Sequence, residues 1–88
     1  VINVYVLKSL KDRRFYVGMT NNLTRRYNQH QAGGVKSTKS RIPFAIIYTK
    51  EFPSPGLARE HEKYLKTAAG KRFLKKFLSL QQPSNLPD

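Results

Sequence analysis

Residues 2–20 read Ile-Asn-Val-Tyr-Val-Leu-Lys-Ser-Leu-Lys-Asp-Arg-Arg-Phe-Tyr-Val-Gly-Met-Thr, and this stretch decides the fold. Ile2 to Leu7 alternates in polarity and is rich in β-branched residues, the pattern of a half-buried strand. Ser9 to Arg13 is a polar turn, and Arg14 to Gly18 reads as the returning strand of a hairpin. Pairing Lys8 with Arg13 sets Tyr5 opposite Tyr16. Because side chains alternate across a strand, both phenols then share one face. Val4, Val6, Phe15 and Val17 take the other.

Working outward, Thr20, Asn21 and Asn22 are good N-cap residues, so a helix is expected from there to Gly33-Gly34. At 100° per residue, Leu23, Arg26, Tyr27 and His30 gather on one side of it and Arg25 points the opposite way. Val35 to Arg41 is a basic loop whose Lys36, Lys39 and Arg41 are candidate contacts to a phosphate backbone. Phe44 to Thr49 reads as a third strand, placed centrally in the sheet. Phe52 to Gly56 breaks the chain. A second helix is expected from about Leu57 to Ala69, ended by Gly70, with Leu57, His61, Tyr64, Leu65 and Ala68 facing inward. His61 reads as packing. Phe73, Leu74, Phe77 and Leu78 predict a third helix. Its other face carries Lys71, Arg72, Lys75 and Lys76, which suit either a phosphate backbone or plain solvation. The expected architecture is α+β: a small three-stranded antiparallel sheet flanked by helices, in the order β-β-α-β-α-α. One domain over 1–80 is expected, with 81–88 as a frayed polar tail.

Eighty-eight residues allow one hydrophobic core. Seventeen Lys and Arg against five Asp and Glu leave a net charge of +12, and that field attracts polyanions. Nucleic acid is the leading partner; an acidic protein or an anionic membrane surface is the plainer alternative. With no cysteine, there is no disulfide framework and no thiolate metal site. A reducing compartment, the cytoplasm, is expected. No apolar run approaches the roughly 20 residues of a membrane span.

Tyrosines in strands usually pack, but Tyr5 and Tyr16 as a facing pair beside an inward Arg26 suit a different task. A phenol near cationic groups can relay a proton. Gly18 is either a simple turn residue or a gap where a phosphate or another backbone comes close. Arg26 and His30 form an i, i+4 pair on the inward face. An inward guanidinium needs a partner, and this chain has few acids to offer, so a substrate phosphate would supply one. His30 could equally be a satisfied structural histidine. Of the five acids, Asp12 sits in a turn, Asp88 at the end, Glu51 just after a strand and Glu60 away from the apolar face. Glu62 alone lies at the edge of that face, with small neighbours. Either it pairs with Lys66 at i+4, or it holds one divalent ion, Mg²⁺ or Mn²⁺, which suits a single carboxylate plus waters and phosphate oxygens. With no second inward carboxylate, one metal is the limit.

At these residues the chain resembles the GIY-YIG nucleases, and their small single-domain bacterial branch in particular. Asn3-Val4-Tyr5 stands for the first motif and Tyr16-Val17-Gly18 for the second. The family's arginine falls eight positions past that glycine, on Arg26. A frequent histidine one turn later falls on His30, and the metal-binding glutamate falls on Glu62 after Ala58. The branch also shares Lys-Ser-Thr-Lys-Ser-Arg, here Lys36 to Arg41. Asn3 replaces the motif's first glycine and Val4 its isoleucine, while the tyrosine is kept.

The resemblance implies a metal-dependent endonuclease that hydrolyses DNA phosphodiesters, with Tyr5, Tyr16, Arg26, His30 and Glu62 as its catalytic set. Glu62 would hold the ion and Arg26 would clamp the phosphate. The base stays open among Tyr5, Tyr16 and His30. Lys36, Lys39, Arg41, Lys66, Lys71 and Arg72 would contact nucleic acid. Specificity in the family is commonly supplied by a fused domain. Here it would come from DNA structure or a protein partner, in repair or recombination. The alternative is a non-catalytic nucleic-acid-binding module that uses the basic surface and exposed aromatics.

Overall fold

A computed structural model describes residues 1–81. It contains strands β1 (Ile2–Ser9), β2 (Phe15–Thr20) and β3 (Phe44–Phe52), helices α1 (Leu23–Gln31), α2 (Pro55–Leu65) and α3 (Ala68–Gln81), and a single 3₁₀ turn, Lys39–Arg41. The order β-β-α-β-α-α is the expected one. Gln81 closes α3, and the rest of the expected tail, 82–88, lies outside the described residues.

Both strand pairings are antiparallel and the sheet order is β2-β1-β3, so β1 is central and the expectation for β3 is corrected. The reason lies in composition. Val4, Tyr5, Val6 and Leu7 are all buried, as a strand covered on both faces requires. β3 exposes Ile46, Thr49, Lys50 and Glu51, the profile of an edge strand.

The hairpin register also differs from the expected one. Lys8 pairs with Phe15, so Tyr5 faces Gly18 and Leu7 faces Tyr16. Ser9 causes the shift. It is fully buried, its Oγ accepts from the Lys11 and Asp12 amides at 3.1 Å each, and the hydroxyl donates to the Arg41 carbonyl at 2.6 Å. The Arg13 amide donates to the Ser9 carbonyl at 2.9 Å, and the Ser9 amide to the Arg14 carbonyl at 2.9 Å. Arg13, at φ 66°, closes the turn in the left-handed region. The ladder therefore closes two residues later than Lys8–Arg13 pairing would allow. An even shift keeps every side chain on its expected face. Tyr5, Leu7 and Tyr16 pack with Phe44, Leu23 and Tyr27 of the α1 side. Val4, Val6 and Val17 pack with Ala58, Leu65 and Leu74 of α2 and α3.

α1 starts where its caps predict: Asn22 Oδ1 accepts from the Arg25 amide at 3.1 Å, and Gly33 follows the helix at φ 80°. The expectation for the second helix needs two corrections. α2 ends at Leu65, and Gly70 lies inside the first turn of α3. Thr67 makes the break: its hydroxyl donates to the Tyr64 carbonyl at 2.6 Å and accepts from the Gly70 amide at 3.0 Å. A Cβ on Gly70 would stand 2.5 Å from Leu65 Cα and closer still to the Tyr64 carbonyl oxygen, so this glycine permits the helices to touch. The inward face is also rotated. Leu57 and Tyr64 are 49% and 42% exposed and Ala68 is exposed, whereas Ala58 and Leu65 are fully buried. Ala58, Glu62 and Leu65 form the inward i, i+4, i+7 stripe. Small Ala58 lets α2 approach the sheet closely, and periodicity drawn through the bulkier residues passes it by.

Candidate active site

Tyr5 is 1% exposed and its ring lies across Gly18, its cross-strand partner. A Cβ at position 18 would come within 2.6 Å of Tyr5 Oη and 2.7 Å of Cζ. The gap left by the glycine is thus filled by the phenol, rather than by a phosphate or a second backbone. Gly18→Ala should therefore displace the Tyr5 hydroxyl while leaving the valine face intact. The expected result is a far-UV circular dichroism spectrum like wild type's with a changed near-UV spectrum, the signature of moved tyrosine rings in an intact fold.

His30 is fully buried. Its Nε2 lies 3.1 Å from Tyr5 Oη and its Nδ1 lies 2.7 Å from Thr38 Oγ1. Thr38 Oγ1 also lies 3.4 Å from the Val35 carbonyl oxygen. Both ring nitrogens are thus held, Nδ1 by Thr38 and Nε2 by the Tyr5 hydroxyl. Tyr16 closes the group, its ring centroid 4.9 Å from His30 and 6.3 Å from Tyr5. Arg26 is half-buried on the same side of α1, whereas Arg25 is exposed.

Burial raises the Tyr5 phenol above its ordinary value. The neighbouring Arg26 guanidinium works against that rise, while Tyr16 and, more weakly, Glu62 add to it. Hydrogen bonding to Tyr5 in turn raises Arg26. Burial, then the charge of Arg26, lowers His30, so it stays neutral. His61 is also lowered, by burial and then by Lys50. The unfolded chain therefore takes up protons on both histidines before the folded one does. Stability is fully present above the unfolded value of about 6.5 and is lost as pH falls below it. Thermal melts from pH 8 to pH 5 should show a falling midpoint, and the decline should become shallower in His61→Gln, which keeps a polar group for Tyr48.

Glu62 comes from the other side of the sheet, on the inward stripe of α2. Its side chain is 13% exposed and its Oε2 lies 3.3 Å from Lys66 Nζ, a pair whose lysine is 56% exposed. Its charge reaches the Tyr5 phenol. Among the described residues there is no group of three His, Cys, Asp or Glu able to enclose an ion. A lone carboxylate fits a hard divalent cation that keeps most of its waters and takes phosphate oxygens from a substrate. It does not fit a protein-enclosed ion.

The expected nucleic-acid contacts separate. Lys36, Lys39, Lys71 and Arg72 are exposed. Lys66 is engaged with Glu62. Arg41 is tied down: its Nε meets Asp12 Oδ2 at 3.0 Å, its Nη2 donates to the Phe15 carbonyl at 3.4 Å, and its guanidinium sits 5.7 Å from the Phe44 ring centroid. Two residues that the sequence does not mark stand beside the site. Thr38 holds the His30 ring from eight positions away, and Gln29 Oε1 accepts from Arg26 Nη1 at 3.2 Å. Gln29 was within reach as an i, i+3 neighbour on α1. Thr38 had no local signal. His61 packs as expected, with Nε2 2.8 Å from Tyr48 Oη and its ring against Phe52 and Tyr64.

Comparison with known proteins adds to this geometry. Residues 1–76 match the model of the GIY-YIG catalytic domain. A UPF0213 protein from Natronomonas pharaonis is 43% identical over 75 residues, which cover 81% of this chain and 87% of that one. A UPF0213 protein from Oceanobacillus iheyensis is 39% identical over 64 residues, 72% of this chain and 73% of the other. The solution NMR structure of a UPF0213 protein from Bacillus halodurans superimposes with a TM-score of 0.54 at 32% identity, covering 96% of this chain and 88% of that one. No helix of the described residues is long and apolar enough to cross a membrane.

Proposed function

Because the chain belongs to the GIY-YIG catalytic-domain family, a nuclease family, we propose that it is an endonuclease hydrolysing DNA phosphodiester bonds with one Mg²⁺ or Mn²⁺ ion. The observation that carries this reading is the cluster of the Tyr5 and Tyr16 phenols, the His30 imidazole and the Arg26 guanidinium around the buried Tyr5 hydroxyl, with the Glu62 carboxylate supplied from α2 on the other side of the sheet. GIY-YIG nucleases are generally dependent on a divalent metal. Glu62 would hold the ion, which when bound would supply charge neutralisation at the phosphate and at the departing 3′ oxygen.

Arg26 grips the scissile phosphate through its planar fork and offsets the charge that develops there. Tyr5 takes a proton from the attacking water as it hands its own to His30 Nε2, and Thr38 holds the ring that receives it. The apo protein disfavours that transfer, because Tyr5 is raised and His30 lowered. A phosphate paired with Arg26 cancels positive charge that acts on both groups, so it raises His30 as the final proton acceptor and keeps Tyr5 a neutral phenol that relays the proton. Tyr16 lines the same pocket and orients the water. Recognition of DNA structure, or a protein partner, would choose the site, as suits cytoplasmic repair or recombination.

The test is an assay of the wild-type protein on single-stranded, branched and duplex DNA with Mg²⁺, Mn²⁺ or EDTA, with DNA binding measured in parallel. Metal-dependent cutting of at least one substrate is expected. Binding without cutting of any of them would leave a nucleic-acid-binding module instead.

A further inference from the structure

A cleft of about 440 Å³ opens between the β1–β2 hairpin and α3, lined by Arg13, Arg14, Phe15, Arg41, Lys71 and Lys75. Five of its six lining residues are cationic. Of these five, only Arg41 has an acidic partner among the described residues, Asp12. Arg13, Arg14, Lys71 and Lys75 therefore face one concavity without a countercharge. Mutual repulsion would spread such groups over an exposed surface. Here the fold gathers them. The turn built on Ser9 presents Arg13 from a left-handed backbone, and Lys71 and Lys75, one helical turn apart, flank the buried Leu74 on the hairpin side. Phe73 and Phe77 take the other flank, against Tyr48. A concave cationic surface focuses potential and draws in an anion. The guanidinium forks favour phosphate, which they meet with two parallel hydrogen bonds.

The cleft is separate from the Tyr5 site yet near it. Phe15, in its floor, and Gly18, under Tyr5, are three residues apart on β2, about 10 Å at the usual strand rise. Neighbouring phosphates of one DNA strand are farther apart than the axial rise of about 3.4 Å, because the backbone winds around the axis, so that distance is spanned by fewer than three nucleotides. β2 is an edge strand, so the two faces of the sheet meet along its open side. A strand running past that edge reaches both the catalytic groups and the cleft.

We propose that this cleft holds a backbone phosphate of the bound DNA strand, close along that strand to the bond that is cut. The proposal rests on the nuclease reading for its account of the neighbouring site, but the binding it describes can be measured without catalysis. Two double variants remove the same charge from one helix: Lys71→Gln with Lys75→Gln on the cleft side, and Arg72→Gln with Lys76→Gln on the outward side. Binding of a fluorescent 20-nucleotide single strand is followed from 50 to 300 mM NaCl. The cleft variant should bind several-fold more weakly than the outward variant, and its slope of log affinity against log salt should fall by about 1 for each phosphate no longer neutralised. Equal affinities and slopes for the two variants would overturn the proposal. So would polyglutamate of matching charge binding with the same dependence on Lys71 and Lys75. A contrast between the variants with no cutting by wild type would uphold the cleft while removing the nuclease reading. Cutting with no contrast would do the reverse.

Discussion

Glu62→Ala should abolish metal-dependent cleavage, with a loss of about a thousandfold or more, while DNA binding falls by no more than twofold. The size follows from the role. A divalent ion at the phosphate contributes several kcal/mol of charge stabilisation, and each 1.36 kcal/mol is about tenfold in rate. Glu60, the other acid of α2, is exposed and off this stripe, so it would not replace Glu62 as a ligand. The substitution also frees Lys66, now in an ion pair with Glu62 at 3.3 Å, and adds positive charge beside the DNA. Binding is therefore expected to hold or strengthen. Parallel cleavage and anisotropy measurements separate the two effects. The pair is largely solvent-exposed on the lysine side, so stability should barely move.

Arg26→Ala should lower cleavage by about 100- to 1,000-fold, the usual cost of removing one preorganised donor from a developing negative charge. It should also weaken substrate binding, because in the proposed role the guanidinium would meet the phosphate before as well as during reaction. A second consequence is specific to this site. Arg26 is the group that opposes burial at Tyr5 and that holds His30 down. Its loss should move the pH dependence of the residual activity, as well as its height. Arg26→Lys keeps the charge and loses the fork, so its activity should lie between those of Arg26→Ala and wild type. A rate–pH profile for each variant under single-turnover conditions checks both points.

Much of this arrangement is legible in the chain because it depends on parity and phase. The two faces of the hairpin follow from alternation alone, so they survive a register wrong by two residues. Arg26 rather than Arg25 faces the sheet because 100° per residue leaves no other choice once the helix is set by Asn22 and Gly33. Glu62 lies on an inward stripe because the alternatives sit in turns, at strand ends or on outward faces. The illegible parts depend on contacts between distant segments. The register is set by Ser9, whose hydroxyl reaches Arg41, 32 positions away. Gly70 resembles a helix stop until the crossing of α2 and α3 shows what its missing side chain makes room for. The central place of β1 needs both helical layers to be known. Thr38 meets His30 only because the loop after α1 folds back, and no local pattern marks it. The cleft gathers Arg13 and Arg14 from a turn with Lys71 and Lys75 from a helix far along the chain, so composition shows its charge and not its shape.

The central claim is that Arg26 and Glu62, carried by helices on opposite sides of the sheet, act on one phosphodiester as parts of one site. A double-mutant cycle tests it most directly: single-turnover cleavage by wild type, Arg26→Ala, Glu62→Ala and the double variant. Residues that act as a unit are far from additive, so the double variant should fall no more than about tenfold below the weaker single variant. Losses that multiply, to about 100,000-fold or beyond, would mean two independent contributions and would contradict a shared site.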